Sequence, residues 1–119
     1  MDVRSIILLL IVGYLAYKMF APTKGVKQVS TTELKPLLND RKRFYLDVRT
    51  QAEFKGNHIK GFKNIPLQTL NRQLNQIPKD KEVLVICQSG MRSKQAVKVL
   101  KKAGYTNVTE VRGGMNAWR

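Results

Sequence analysis

Between Glu82 and Ile86 the chain reads EVLVI, four large apolar residues in a row behind a single carboxylate. A run that short and that uniformly apolar has no face to give to water, so as a strand it must be covered on both sides. Such strands belong to parallel sheets whose crossovers are helices. The rest of the sequence supplies both kinds of element. RFYLDV (Arg43 to Val48), VKQVS ending at Ser30 and Val108 to Val111 read as further strands, rich in branched and aromatic residues. Ser30-Thr31-Thr32-Glu33 and Thr50-Gln51-Ala52-Glu53 each have capping-box spacing. The first of these helices must be short because Pro36 cannot donate in its interior, and the second is expected to reach about Lys55. Leu67, Leu70, Leu74 and Ile77 recur at helical spacing from Pro66 to Ile77, with Pro78 as the stop. Ala96, Val97, Leu100 and Ala103 form one face of a helix from Met91 to Ala103, capped by Gly104. GGMNAWR makes a final turn. The fold class is α/β, a parallel central sheet of about five strands with helices on both faces.

The N-terminal segment is of another kind. Ser5 to Tyr17 (SIILLLIVGYLAY) holds no charge over 13 residues, and Lys18 precedes Met19, Phe20 and Ala21. With Lys18 snorkelling to the headgroups and Tyr14 and Tyr17 at the boundary, Ser5 to Ala21 is expected to be one uncleaved transmembrane helix. Residues 1–4 are then a tail, 22–28 a linker and 29–119 the folded domain. Arg4 stands before the span, whereas Lys18, Lys24, Lys27 and Lys35 follow it. The positive-inside tendency therefore points to a single-pass protein of the cell membrane with its domain in the cytoplasm.

Without Met1 to Val26, 93 residues remain, enough for one small domain and too few for a two-domain enzyme. The single cysteine, Cys87, excludes an internal disulfide framework, and with one histidine no metal site is expected. Residues 27–119 carry 19 basic and 7 acidic side chains, a surface that attracts anions. Aromatics are not interleaved with the basic clusters as single-strand binding requires, so no nucleic-acid partner is expected. Anionic lipid is the simpler one.

The chemistry concentrates in EVLVICQSGMRS. A buried strand ends at Cys87, a short loop follows, and a helix begins near Arg92. Ligands of open α/β sheets bind at the carboxyl ends of the strands, which is where Cys87 falls. Gln88, Ser89, Gly90 and Met91 can curl their N–H groups around the sulfur, Gly90 supplying the torsional freedom. The helix dipole and Arg92 favour thiolate over thiol, and the same donors would hold an anionic substrate. This reading requires a sulfur that is charged near neutrality and reachable from solvent. Asp47 and Arg49, two apart on one strand, share a face and brace the sheet edge beside the loop. His58, the one histidine, is read as bonded within its own turn.

These segments together resemble the single-domain rhodanese family over roughly Val29 to Arg119. The resemblance rests on Asp47–Arg49, Glu53–Phe54, His58–Gly61 and Asn64–Leu67, on the loop CQSGMRS, and on Gly113, Gly114 and Trp118. It implies a sulfurtransferase in which the Cys87 thiolate takes the outer sulfur of a small-molecule donor such as thiosulfate and becomes a persulfide. The sulfur then passes to cyanide or to an external thiol, either a thioredoxin-like protein or a low-molecular-weight thiol. It implies no cofactor. Many loops of the family have a basic residue where Gln88 stands, and Asn57 replaces the glycine of the G-H-I turn. The spacing Cys87 to Arg92 is C-x4-R, one residue shorter than in phosphatase relatives of the fold. A rhodanese-like binding or redox-sensing module without turnover is the alternative.

Overall fold

The computed structural model describes residues 1–20 and 25–119. The N-terminal helix α1 spans Val3–Phe20, and its described side chains are exposed. The strands are β1 (Lys27–Val29), β2 (Arg43–Asp47), β3 (Lys63–Asn64), β4 (Glu82–Ile86) and β5 (Val108–Val111). Helices α2 (Thr31–Leu34), α3 (Gln51–Gly56), α4 (Leu67–Leu70), α5 (Met91–Lys102) and α6 (Gly114–Ala117) connect or follow them. The strands form one sheet in the order β1-β5-β4-β2-β3, every pairing parallel.

β4 lies at the centre, with Leu84 opposite Tyr45 on one side and Thr109 on the other. Its alternation divides the core. Val83 and Val85 pack with Ala96, Val97 and Leu100 of α5, while Leu84 and Ile86 pack with Leu34 and Met115. All four β4 residues are fully buried, which is why the run contains no polar residue. Each buried side chain of this size contributes roughly 1.5–3 kcal/mol from apolar transfer.

The capping boxes form as their spacing predicts. Ser30 Oγ accepts from the Glu33 N–H at 3.1 Å while Glu33 Oε1 accepts from the Ser30 N–H at 3.0 Å. Thr50 and Glu53 repeat the arrangement at the start of α3. At Pro36, α2 gives way to a 3₁₀ turn over Lys35–Leu37, since proline has no N–H for the α ladder.

Three expectations are corrected. The helix expected over Pro66 to Ile77 is two pieces, α4 and a 3₁₀ turn at Leu74–Gln76, separated by Gln73 at φ −122°, ψ 18°. The Arg72 and Gln73 N–H groups bond to carbonyls three residues back, so the chain tightens out of the α ladder. The apolar stripe still faces the core, with Leu70 and Ile77 buried. Second, no helix among the described residues is long and apolar enough to cross a membrane. The expected transmembrane span from Ser5 to Ala21 is therefore not supported; its end, Ala21, and positions 22–24 of the linker lie outside the described residues. Third, the linker does not extend to 28. Lys27 and Gln28 already pair with Thr109 and Glu110, so the domain begins with β1.

Candidate active site

The carboxyl ends of β2 and β4 meet two loops, and Asp47, Arg49 and the segment from Cys87 to Arg92 come together there. Cys87 directly follows β4, and Gly90 caps α5 at φ +103°, a left-handed conformation open to glycine. That turn folds the loop back on itself so that the Gly90 N–H donates to Cys87 Sγ at 2.9 Å. The Ser93 hydroxyl lies 3.5 Å from the sulfur on its other side. Instead of a ring of amides, one loop N–H reaches the sulfur among the described residues. The sulfur is also closed off: Cys87 is 0 % exposed and packs with Val85, Ala96 and Val97. This overturns the expectation of an open thiol.

Arg92 stands in the first turn of α5, where the helix dipole disfavours a cation. It does not present a free charge to the sulfur. Its Nη1 and Nη2 donate to Glu53 Oε1 and Oε2 at 2.6 and 2.9 Å. Glu53 is held for this by its capping box, with the Thr50 N–H and hydroxyl both on Oε1 at 3.0 Å. The Arg92 fork, with help from Thr50, pulls the Glu53 carboxyl down to about 2, and the bond to Glu53 raises Arg92 in turn. The expected guanidinium is thus present beside the loop but already neutralised by a carboxylate 39 positions away in sequence.

Gln88 also has its side chain committed. Its Oε1 accepts from Arg49 Nη1 at 3.1 Å and its Nε2 donates to Asn116 Oδ1 at 2.7 Å. Ser89 and Met91 form the exposed rim and, with Gly90, line a cleft of about 200 Å3 shared with Gln28, Lys94, Glu110, Arg112 and Gly113. Asp47 and Arg49 are a buried pair, 0 and 2 % exposed. Arg49 donates to both Asp47 oxygens at 2.9–3.1 Å, to the Asn57 carbonyl at 2.6 Å and to Gln88. One guanidinium therefore ties the end of β2 to the turn after α3 and to the Cys87 loop. His58 is exposed, stacked on Phe54 at 3.9 Å with Nδ1 2.8 Å from the Phe54 carbonyl, within its own turn.

Several residues escaped sequence reading as parts of the site. Asn64 donates its side-chain amide to the Asp47 and Arg49 carbonyls, fixing the strand end; the N-I-P segment was the signal. The Met115 and Asn116 N–H groups donate to the Cys87 and Gln88 carbonyls at 2.8 and 2.9 Å, so α6 holds the loop from behind. Gly114 permits that approach, since a Cβ there would lie 2.3 Å from the Cys87 carbonyl oxygen. Ser93 was visible only as the end of CQSGMRS. Glu110 is buried, and its signal was a lone carboxylate in the apolar strand VTEV.

The sequence matches the family described as Rhodanese-like domain over residues 30–119. It is 34% identical over 116 residues to the uncharacterized protein YqhL of Bacillus subtilis, covering 97% of this chain and 92% of that one. It is 35% identical over 94 residues to a protein named sulfurtransferase from Allochromatium vinosum, covering 78% of this chain and 88% of that protein. Among solved structures, a rhodanese-like domain protein from Staphylococcus aureus superposes with a TM-score of 0.72 at 35% identity, covering 79% of this chain and 92% of that one. With its parallel five-stranded sheet and a cysteine loop at the carboxyl end of the central strand, the chain belongs to the rhodanese-like family.

Proposed function

We propose that the protein is a sulfurtransferase that carries a sulfane sulfur on Cys87. The Cys87 thiolate attacks the outer sulfur of a donor such as thiosulfate. A sulfur–sulfur bond forms to Cys87, the donor's own sulfur–sulfur bond breaks, and sulfite leaves with the electron pair. An external thiol, or cyanide in an assay, then attacks the outer sulfur of the persulfide and restores the thiolate. With no second cysteine in the chain, an internal disulfide cannot discharge the persulfide.

The observation that carries this reading is the 2.9 Å contact from the Gly90 N–H to Sγ at the mouth of the central strand. It places a donor where a sulfur anion needs one. The names of relatives such as the Allochromatium vinosum sulfurtransferase and thiosulfate sulfurtransferase 18 of Arabidopsis thaliana support it. Because Cys87 is closed over, turnover requires the Ser89–Met91 rim to lift. The same closure favours a second reading, a binding or redox-sensing module that does not turn over. Thiocyanate formation from thiosulfate and cyanide decides between them. Sulfur transfer by the wild type and none by Cys87→Ser is the expected result. No transfer from thiosulfate, a polysulfide or a persulfide donor leaves the module.

A further inference from the structure

We propose that Ser93 and Glu110 form the route by which the buried Cys87 thiol loses its proton. This rests on the sulfurtransferase reading only in needing a thiolate. While the loop is closed, a thiol that is 0 % exposed has no water to deprotonate it directly, yet the thiolate is the nucleophile. Among the described residues one side-chain path leads from it to a carboxylate. Ser93 Oγ is 3.5 Å from Sγ and 3.2 Å from Glu110 Oε1. Ser93 is fully buried and Glu110 is 1 % exposed. A buried carboxylate is costly to keep in a strand between Thr109 and Val111. It is the one carboxylate bonded to Ser93 among the described residues, and it lines the cleft of about 200 Å3 that holds Gln28, Lys94 and Arg112.

The step balances without a co-reactant. The Cys87 S–H bond breaks and its proton goes to Ser93 Oγ, while the Ser93 O–H proton goes to Glu110 Oε1. Ser93 ends neutral, Cys87 becomes thiolate and Glu110 becomes a neutral acid, which releases its proton through the cleft. The hydroxyl has a competing acceptor, the Gly90 carbonyl at 3.0 Å, so it must rotate from that carbonyl to the carboxylate. Glu110 is kept in position by the Gln28 amide, 3.4 Å from Oε2, and by the Lys94 ammonium, 3.8 Å from Oε1. The charged groups around the path are Lys94 of α5 and Arg112 after β5 on the cleft side. Toward the sulfur they are the Arg92–Glu53 and Arg49–Asp47 pairs. Glu110 acts through Ser93 and is a positioning and relay residue.

The test is alkylation of the full chain by iodoacetamide, followed against pH. Cys87 is the only cysteine, so the rate reports that thiol alone, and no sulfur donor is involved. Glu110→Gln and Ser93→Ala are each expected to slow alkylation at pH 7 by about 100-fold, the low end of what a positioned base supplies. Ser93→Thr, which retains the hydroxyl, should recover most of the Ser93→Ala loss. A neighbouring negative charge alone acts in the opposite sense: its removal favours a thiolate beside it and speeds alkylation near neutrality. Faster or unchanged alkylation in Glu110→Gln, or no recovery in Ser93→Thr, overturns the proposal. A measurement on the wild type alone guards against variants that fail to fold. Two protons in flight give a curved dependence of the rate on deuterium fraction, and a linear or absent dependence overturns the relay. Failure of thiosulfate to load Cys87 with normal alkylation would instead count against the sulfurtransferase reading.

Discussion

Replacing Gly114 with alanine tests how the loop is held. A Cβ at this position would stand 2.3 Å from the Cys87 carbonyl oxygen and 2.9 Å from the Gln88 carbonyl carbon, on a residue with φ +57°. The left-handed conformation alone costs a non-glycine residue about 1–2 kcal/mol. The contact cannot be relieved by a rotamer change, because the opposing atoms are backbone. α6 must back away, and the N–H bonds from Met115 and Asn116 to the loop carbonyls, now 2.8 and 2.9 Å, are then stretched or lost. At ~0.5–1.5 kcal/mol each they bring the total to about 2–5 kcal/mol. For a domain of this size each kcal/mol moves the melting temperature by roughly 4–8 °C, so a fall of at least about 8 °C is expected. Circular dichroism melts at neutral pH read it directly. Gly56→Ala, with open space around the site and no positive φ, is the control and should melt at or above the wild type. A Gly114→Ala variant that melts within ~4 °C of the wild type would refute the packing of α6 against the Cys87 loop.

Arg49→Ala leaves the fully buried Asp47 without its partner and should destabilise the domain by about 3–5 kcal/mol in urea unfolding, a far larger loss than any surface charge would cause. The Glu53 carboxyl titrates lower in the folded protein, at about 2, than its ordinary value of 4.5. Its contribution to stability is therefore complete above pH ~4.5 and is lost as pH falls toward 2. Glu53→Gln should flatten the stability profile across that acid window and cost at most about 1 kcal/mol at pH 7, since both partners are about a third exposed and water screens them. Ser30→Ala removes one capping box and should lower stability by ~1 kcal/mol without changing the reactivity of Cys87, as measured by thermal melts and alkylation.

What could be read from the residues was local or periodic. EVLVI announced a central strand because four apolar residues leave no solvent face. Ser30 and Thr50 announced helix starts because each cap closes on a residue three places on. Gly104 announced a helix end and is at φ +94°. What could not be read was set by partners distant in sequence. Arg92 looked like a free cation because Glu53 lies 39 positions back, brought over by the pairing of β2 with β4. Gln88 looked like a missing charge, whereas its amide is the joint between Arg49 and Asn116. Leu67 to Ile77 kept its apolar face but not its helix, since two short pieces bury Leu70 and Ile77 and pack Leu67 and Leu74 against the same core. The N-terminal segment was apolar enough to suggest a span, and no helix among the described residues is long and apolar enough for one. The turn at Gly90 was legible, but the burial of Cys87 among Val85, Ala96 and Val97 was not, because spacing alone does not encode that packing.

The central claim is that Cys87 carries sulfur, and intact-mass analysis of the full chain after brief exposure to thiosulfate tests it most directly. One added sulfur atom localised to Cys87, removed by cyanide and absent from Cys87→Ser, is the expected result. A mass that stays unchanged with every sulfane donor, while iodoacetamide still reaches the thiol, would contradict it.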